Sequence, residues 1–187
     1  MFQQYVNFVV KQSTGKTAIF VLIVYIIFNA AVMGWGAKHI NALSDKEVQV
    51  LDLCLTGYSP IQANAYLSEY SPEARNFAAT FNAIADTAYP IVYTIMLSVV
   101  LAWVYKSRIQ LNKSYGYLLL LPLLMMVLDF LENYHITAML RLFPAIPEEI
   151  IKAGSILTVA KWGMFGVILV IILLGLALKA IKSRKTG

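Results

Sequence analysis

"GYLLLLPLLMMVLDFLENYHI", residues 116–136, is the stretch that decides how this chain folds. Its first part is uncharged and continuously apolar rather than alternating. That pattern suits a helix crossing a hydrocarbon core, which takes roughly 20 residues, and not a membrane strand. Yet Asp129, Glu132, Asn133 and His135 then follow within a few residues. An ionisable group near the centre of a bilayer costs at least ~2.5 kcal/mol, and such groups usually face a bundle interior and pair there. The stretch therefore predicts a membrane helix with one polar, inward face.

The rest of the chain agrees. Of its 187 residues, 59% are hydrophobic and 13% charged, against roughly 45–50% and about 25% in soluble domains. Four apolar segments predict spans at about 17–35, 77–105, 116–142 and 153–180, within a single domain covering 1–187. The expected fold is all-α: an integral membrane four-helix bundle with a long helical first loop, 36–76, outside the cytoplasm. The first apolar run is too long for a cleaved signal and reads as a retained helix. No lipid-anchor motif is expected. Cys54 is the single cysteine, so an intramolecular disulfide is excluded and thiol-redox chemistry disfavoured.

Charge orients the helices. Lys11, Lys16, Lys106, Arg108, Lys113, Lys179, Lys182, Arg184 and Lys185 fall in the N-terminal tail, the 105–116 link and the C-terminal tail, with no acid among them. The other two loops carry Asp45, Glu47, Asp52, Glu69, Glu73, Glu148 and Glu149 against four basic residues. The positive-inside rule places both termini in the cytoplasm, in a plasma (inner) membrane. The net charge of +5 then reflects topology and anionic lipid. Nucleic acid is not an expected partner, because no basic–aromatic fold is present.

Local signals subdivide the first loop. Ser44 with Glu47 predicts a capping box for a helix carrying Val48, Leu51 and Leu55, stopped at Gly57. "YSPIQANAYL" (58–67) and "YSPEARNFAA" (70–79) each predict a helix with Ser as cap and Pro in its first turn. The second should run unbroken into the 77–105 span. Residues 1–16 fit either an interfacial helix or a frayed tail. Pro90 predicts a kink that opens space beside Asp86. Gly163, Gly166 and Ala160 predict close helix packing. Tyr25, Trp35, Trp103 and Trp162 predict interfacial anchors.

The polar residues of the spans gather in the outer half. Asn29, Asp86, Asp129, Glu132, Asn133 and Lys161 all fall in that half, Asp129 deepest and near the middle, and Asp86, Tyr89, Pro90 and Tyr93 share one helix face. The inner half, including "AIFVLIVYIIF" and "GVILVIILLGLAL", carries no ionisable group. An ion pathway needs polar groups across the full width, so a channel or pump is disfavoured. Asn29, Asp86, Tyr89, Tyr93, Asp129, Glu132, Asn133 and Lys161 are the expected ligand-binding residues for a small molecule, lipid or cation.

Three functions remain open. One is that binding pocket. Another is an intramembrane enzyme on a lipid-like substrate, with Asp86, Asp129 or Glu132 as the acid or base. The third is a structural or partner subunit, in which Lys161 pairs with Asp86 or Glu132. "ENYH" (132–135) matches one Glu-x-x-His element of di-metal bundles, so Asp86, Asp129, Glu132 and His135 are weak metal candidates. No motif names a cofactor. Membrane lipid and a second copy of the chain, as a homo-oligomer, are the remaining partners considered. Tetraspanins, claudins and quinone-linked disulfide oxidases share four spans and a long first loop, but need cysteines that this chain lacks. The acidic pair resembles that of sterol-isomerase-like membrane proteins in placement only, and no site residue is carried over.

Overall fold

The computed structural model describes residues 1–186, with side chains through Ile181. The basic side chains of Lys182, Arg184 and Lys185 therefore lie outside the described residues. The regular elements are α1 (Phe2–Gln12), α2 (Gly15–Phe28), α3 (Gly34–Ser44), α4 (Pro60–Ser68), α5 (Pro72–Leu111), α6 (Leu120–Leu142) and α7 (Glu148–Thr186). No strand occurs among the described residues. A π turn, Asn29–Met33, joins α2 to α3 without interruption. Four helical stretches are long and apolar enough to cross a membrane: Gly15–Ser44, Pro72–Leu111, Lys113–Leu142 and Glu148–Ile181.

These helices extend beyond the expected spans because good caps lie further out than hydropathy reaches. Ser71 accepts the Ala74 amide at 3.0 Å, and Pro72 occupies the first turn of α5. That helix then runs unbroken for 40 residues, about 60 Å at 1.5 Å per residue. It is the central helix. Within its most apolar window 56% of residues are buried, against 6% in the first helical stretch. α6 packs along α5 and α7 packs along α6, while α2 rests on α5.

The end of the bundle that carries both termini is an apolar core. Leu101, Ala102, Leu119 and Ile168 are fully buried there. α1 is part of this core and is not a frayed tail. Its Val6 side chain lies against Gly116, where an added Cβ would come 3.1 Å from Val6 Cγ1. The Tyr5 hydroxyl donates to Ser98 Oγ at 2.9 Å, and Lys106 Nζ donates to the Ser13 carbonyl at 2.9 Å.

The opposite end is closed by a lid, residues 45–71, with a second core of its own. Val48, Leu51, Tyr58, Ala63, Leu67 and Tyr70 pack against Ile136, Met139, Leu140 and Ile151 of α6 and α7. Ser59 caps α4 with Pro60 next to it, as the sequence suggests, and Gln62 completes a capping box. Burial raises the Tyr70 hydroxyl above its ordinary pKa, and it donates to the Gln49 carbonyl at 3.0 Å. Arg75 donates to the Leu67 carbonyl at 3.1 Å and to that of Tyr70, which caps the C-terminal end of α4. It clamps the lid.

Three local expectations are corrected. Ser44 does not start a helix: it ends α3, and Asp45 follows in the left-handed region at φ 54°. The Val48 amide instead reaches back to Asn41 Oδ1 at 3.1 Å, so 46–50 run without helix and only Leu51–Leu53 form a 3-10 turn. The first span simply runs on to the point where a new helix was expected to start. Gly57 stops no helix; it has φ 81° and touches α7, where a Cβ would meet Ser155 Oγ at 2.6 Å. Gly163 and Gly166 pack against nothing within 4 Å. The glycines that permit close approach are Gly36 beside Phe81, Gly154 beneath the Tyr58 hydroxyl, and Gly175 beside Val104 and Tyr105.

Candidate functional site

Between the apolar core and the lid lies a polar layer. It is about four turns from the lid end of α5 and α7. For Lys161 that is deeper than its sequence position suggested, because α7 starts earlier than expected. Asn29 likewise falls mid-helix in Gly15–Ser44.

Lys161 organises one side of this layer. Its ammonium contacts Glu132 Oε2 directly and lies 3.7 Å from Asp129 Oδ1. Glu132, fully buried, also accepts a hydrogen bond from Thr158 Oγ1. Asp129, 4% exposed, accepts one from the Tyr93 hydroxyl at 2.9 Å. One turn of α7 carries Thr158 and Lys161 on the face towards α6, and the 129/132 spacing turns both acids to meet them. The triad is a buried ion-pair network that holds α6 to α7. Asp86 is not a partner of Lys161.

Asp86 is tied in through its backbone. Pro90 has no N–H, so the Asp86 carbonyl four residues earlier loses its helical donor. Asn133 Nδ2 takes that place at 2.7 Å, and the Asn133 carbonyl in turn accepts from Asn82 Nδ2 at 2.8 Å. Asn82 also donates to Thr137 Oγ1 at 2.7 Å. Pro90 thus acts on α5 by exposing an acceptor to α6 while the helix remains continuous.

Beside these groups opens a cavity of about 360 Å³. Asn29, Asp86, Tyr89, Tyr93, Asp129 and Lys161 line it, as do Tyr25, Asp52, Trp162 and Phe165. Six of the eight sequence-predicted ligand residues thus converge there. Glu132 and Asn133 stand behind it, spent on Lys161 and on the Asp86 carbonyl. The Tyr89 hydroxyl lies 2.8 Å from that of Tyr25 and accepts from Asn29 Nδ2 at 3.2 Å. α2 and α3 line one side and α7 another, α2 and α7 scarcely packing on each other among the described residues, and α5 and α6 complete the wall.

The lid contributes a residue that hydropathy does not single out. Asp52 lines the cavity, and its carbonyl accepts the Trp162 indole N–H at 2.7 Å. Asp52 and Asp86 also line a smaller neighbouring cavity together. Each keeps one buried carboxylate oxygen, Oδ1, without a hydrogen-bond partner. Tyr25 and Trp162 are therefore cavity residues rather than interfacial anchors. A sequence signal for Tyr25 exists: it is one helical turn before Asn29 on the same face. Asp52 offers only an acid set among Val50, Leu51 and Leu53.

The metal candidates are not gathered. His135 Nδ1 donates to the Leu131 carbonyl at 2.7 Å. Among the described residues no group of three or more His, Cys, Asp or Glu is placed to hold an ion. The side chains of Asp86, Asp129, Glu132 and His135 do not form a di-metal arrangement, since "ENYH" puts its acid on Lys161 and its histidine on its own helix.

Comparison with protein families, curated proteins and solved structures returns no match, so the site is read from its own chemistry.

Proposed function

We propose that this is an integral membrane protein of the plasma (inner) membrane, with both termini cytoplasmic, that binds an amphiphilic organic cation in its polar cavity. Support for insertion comes from the faces the bundle leaves bare. Ile19, Phe20, Ile23 and Ile27 on α2, and Ile156, Val170, Leu173 and Leu174 on α7, are all exposed. Contiguous apolar surface of this extent marks a lipid-facing or partner-facing region. Support for orientation comes from charge. The terminal end carries Lys11, Lys16, Lys106, Arg108 and Lys113, whereas the lid end carries Asp45, Glu47, Glu69, Glu73, Glu148 and Glu149.

The observation that carries the ligand class is the unpartnered pair Asp52 and Asp86. Lys161 pairs directly with Asp129 and Glu132, so among the described residues Asp52 and Asp86 have no direct ion pair and feel Lys161 only at longer range. A carboxylate away from water without a partner is strongly disfavoured. A bound cation supplies what is missing. The rings of Tyr89, Trp162 and Phe165 on the same cavity suit an ammonium group carrying apolar substituents. The Asp129–Lys161–Glu132 triad keeps the structural role, and Asp52 with Asp86 takes the ligand.

The test uses the purified full chain in discs of neutral lipid. A decyltrimethylammonium ion is expected to raise the melting temperature, and decanol of matching length is not. Asp86→Asn and Asp52→Asn should each weaken the cation at least about tenfold, or 1.4 kcal/mol. Equal shifts from cation and alcohol, or full binding by the double variant, would sink the reading.

The same pair supports a second reading. Carboxyl groups set among apolar side chains in one small cavity are candidates for acid or base chemistry. The alternative is therefore an intramembrane enzyme acting on a lipid-like substrate. A substrate converted by the wild type, and bound but not converted by Asp86→Asn, would favour it.

A further inference from the structure

A second concavity lies at the other end of the cleft between α2 and α7, on the side of the termini. It encloses about 780 Å³ and is lined by the start of α2 (Thr14, Gly15), by α5 (Trp103, Lys106, Arg108) and by the last described turns of α7 (Leu178, Lys179). Three cations line it and no acid does. None of the three has a carboxylate partner among the described residues. Lys179 stands over the Trp103 ring at 3.7 Å, and Arg108 lies 5.9 Å from the Tyr115 ring centre. The rings hold Lys179 and Arg108 at the groove without neutralising them, and Lys106 is held by the Ser13 carbonyl.

Backbone donors add to the charge. Thr14 Oγ1 accepts the Thr17 amide and the Thr14 carbonyl accepts that of Ala18. The amides of Gly15 and Lys16 remain the unclaimed donors of the first turn. Phosphate oxygens are the acceptors that a helix start beside clustered Lys and Arg suits. Next to this polar floor, α2 exposes Ile19 and Ile23, and α7 exposes Leu174 and Leu178. Three cations and a helix start thus sit beside exposed apolar side chains of α2 and α7.

We infer that this groove binds a phosphate-bearing anion, presented as the headgroup of an anionic phospholipid in the leaflet that faces the termini. The inference rests on the membrane reading but not on the cation cavity, whose acids lie at the opposite end of the bundle. It makes the cleft between α2 and α7 bipolar, cation-seeking near the lid and anion-seeking near the termini.

The experiment is native mass spectrometry of the detergent-purified full chain, supplied separately with phosphatidylglycerol, phosphatidylcholine and glycerol 3-phosphate. Phosphatidylglycerol should be retained in preference to phosphatidylcholine. Arg108→Gln and Lys179→Gln, both surface changes, should each weaken that retention about fivefold. Retention of phosphatidylglycerol alone assigns the groove to lipid. Retention of glycerol 3-phosphate as well supports the phosphate site but assigns it to soluble anions. Equal retention of both lipids, or an Arg108→Gln/Lys179→Gln double variant that holds phosphatidylglycerol like the wild type, overturns the inference. Loss of decyltrimethylammonium binding in Asp52→Asn and Asp86→Asn would leave it untouched, so the two sites fail separately.

Discussion

The two halves of this bundle are built on different physics. Towards the termini, Leu101, Leu119, Met125 and Ile168 close the space by apolar contact, and polar atoms such as the Tyr105 hydroxyl find a backbone carbonyl at 2.8 Å. Towards the lid, α5, α6 and α7 are joined through Asn82, Asn133, Asp129, Glu132 and Lys161. Apolar packing degrades gradually, because neighbours relax into a small void. A buried charge network does not, because each member left alone faces a full desolvation penalty. The comparison therefore makes a graded set of predictions, each read first as thermal stability of the purified chain.

The largest effect should come from Lys161→Met. It strands two buried carboxylates and should destabilise by about 3–5 kcal/mol. Adding Asp129→Asn and Glu132→Gln should recover most of that loss, since the three act as one unit. A Lys161→Met protein as stable as wild type would mean that the triad is not buried as described. Leu101→Ala, in the apolar half, should cost about 3 kcal/mol through its cavity. Unlike the triad changes, it should have no second-site rescue among charged residues, and it should leave decyltrimethylammonium binding intact. Loss of binding in Leu101→Ala would break the separation between the halves.

Why the halves differ in legibility follows from what each is made of. Apolar runs are contiguous in sequence, so hydropathy alone finds the four long helices and the dry end. The acids of the polar layer stand out for the same reason, as exceptions within apolar runs; Asp86, Asp129 and Lys161 are visible at once. Their pairing is not, because it depends on helix rotation and on where each helix starts. Glu148 begins α7 well before hydropathy does, and that offset changes the depth assigned to Lys161. Asp52 is hidden for another reason. It belongs to a lid segment whose fold is set by tertiary contacts, the Asn41–Val48 hydrogen bond and burial of Leu51, and not by a periodic pattern. Gly163 and Gly166 mislead because small residues permit close packing without requiring it.

Between these extremes stands the hydrogen bond from Asn133 to the Asp86 carbonyl, which sharpens the comparison by testing a single neutral contact in the polar half. Asn133→Leu removes the donor while roughly keeping volume, and should cost about 1–3 kcal/mol, the penalty of one buried unsatisfied acceptor. The penalty exists only because Pro90 vacates that carbonyl. Pro90→Ala restores the helical N–H, so Asn133→Leu in a Pro90→Ala background should cost about 1 kcal/mol less than in the wild type. Additive changes would show that the carbonyl was satisfied by something else.

The smallest effect expected is in the lid. Ser59→Ala removes an N-cap whose Oγ accepts the Gln62 amide at 3.2 Å, and typical losses are ~1 kcal/mol. The lid lies between the two regimes: its second core is apolar, yet it delivers Asp52 to the polar layer and docks on α7 through the Trp162 indole. If lid and bundle melt together, the loss should appear as a small drop in a single transition. If the lid opens on its own, the same substitution should leave the main transition in place and instead speed amide hydrogen exchange in Pro60–Ser68. Because Asp52 is carried by the segment that would open, faster exchange should be accompanied by weaker retention of decyltrimethylammonium, whereas an unchanged affinity alongside faster exchange would separate the lid from the cavity it covers.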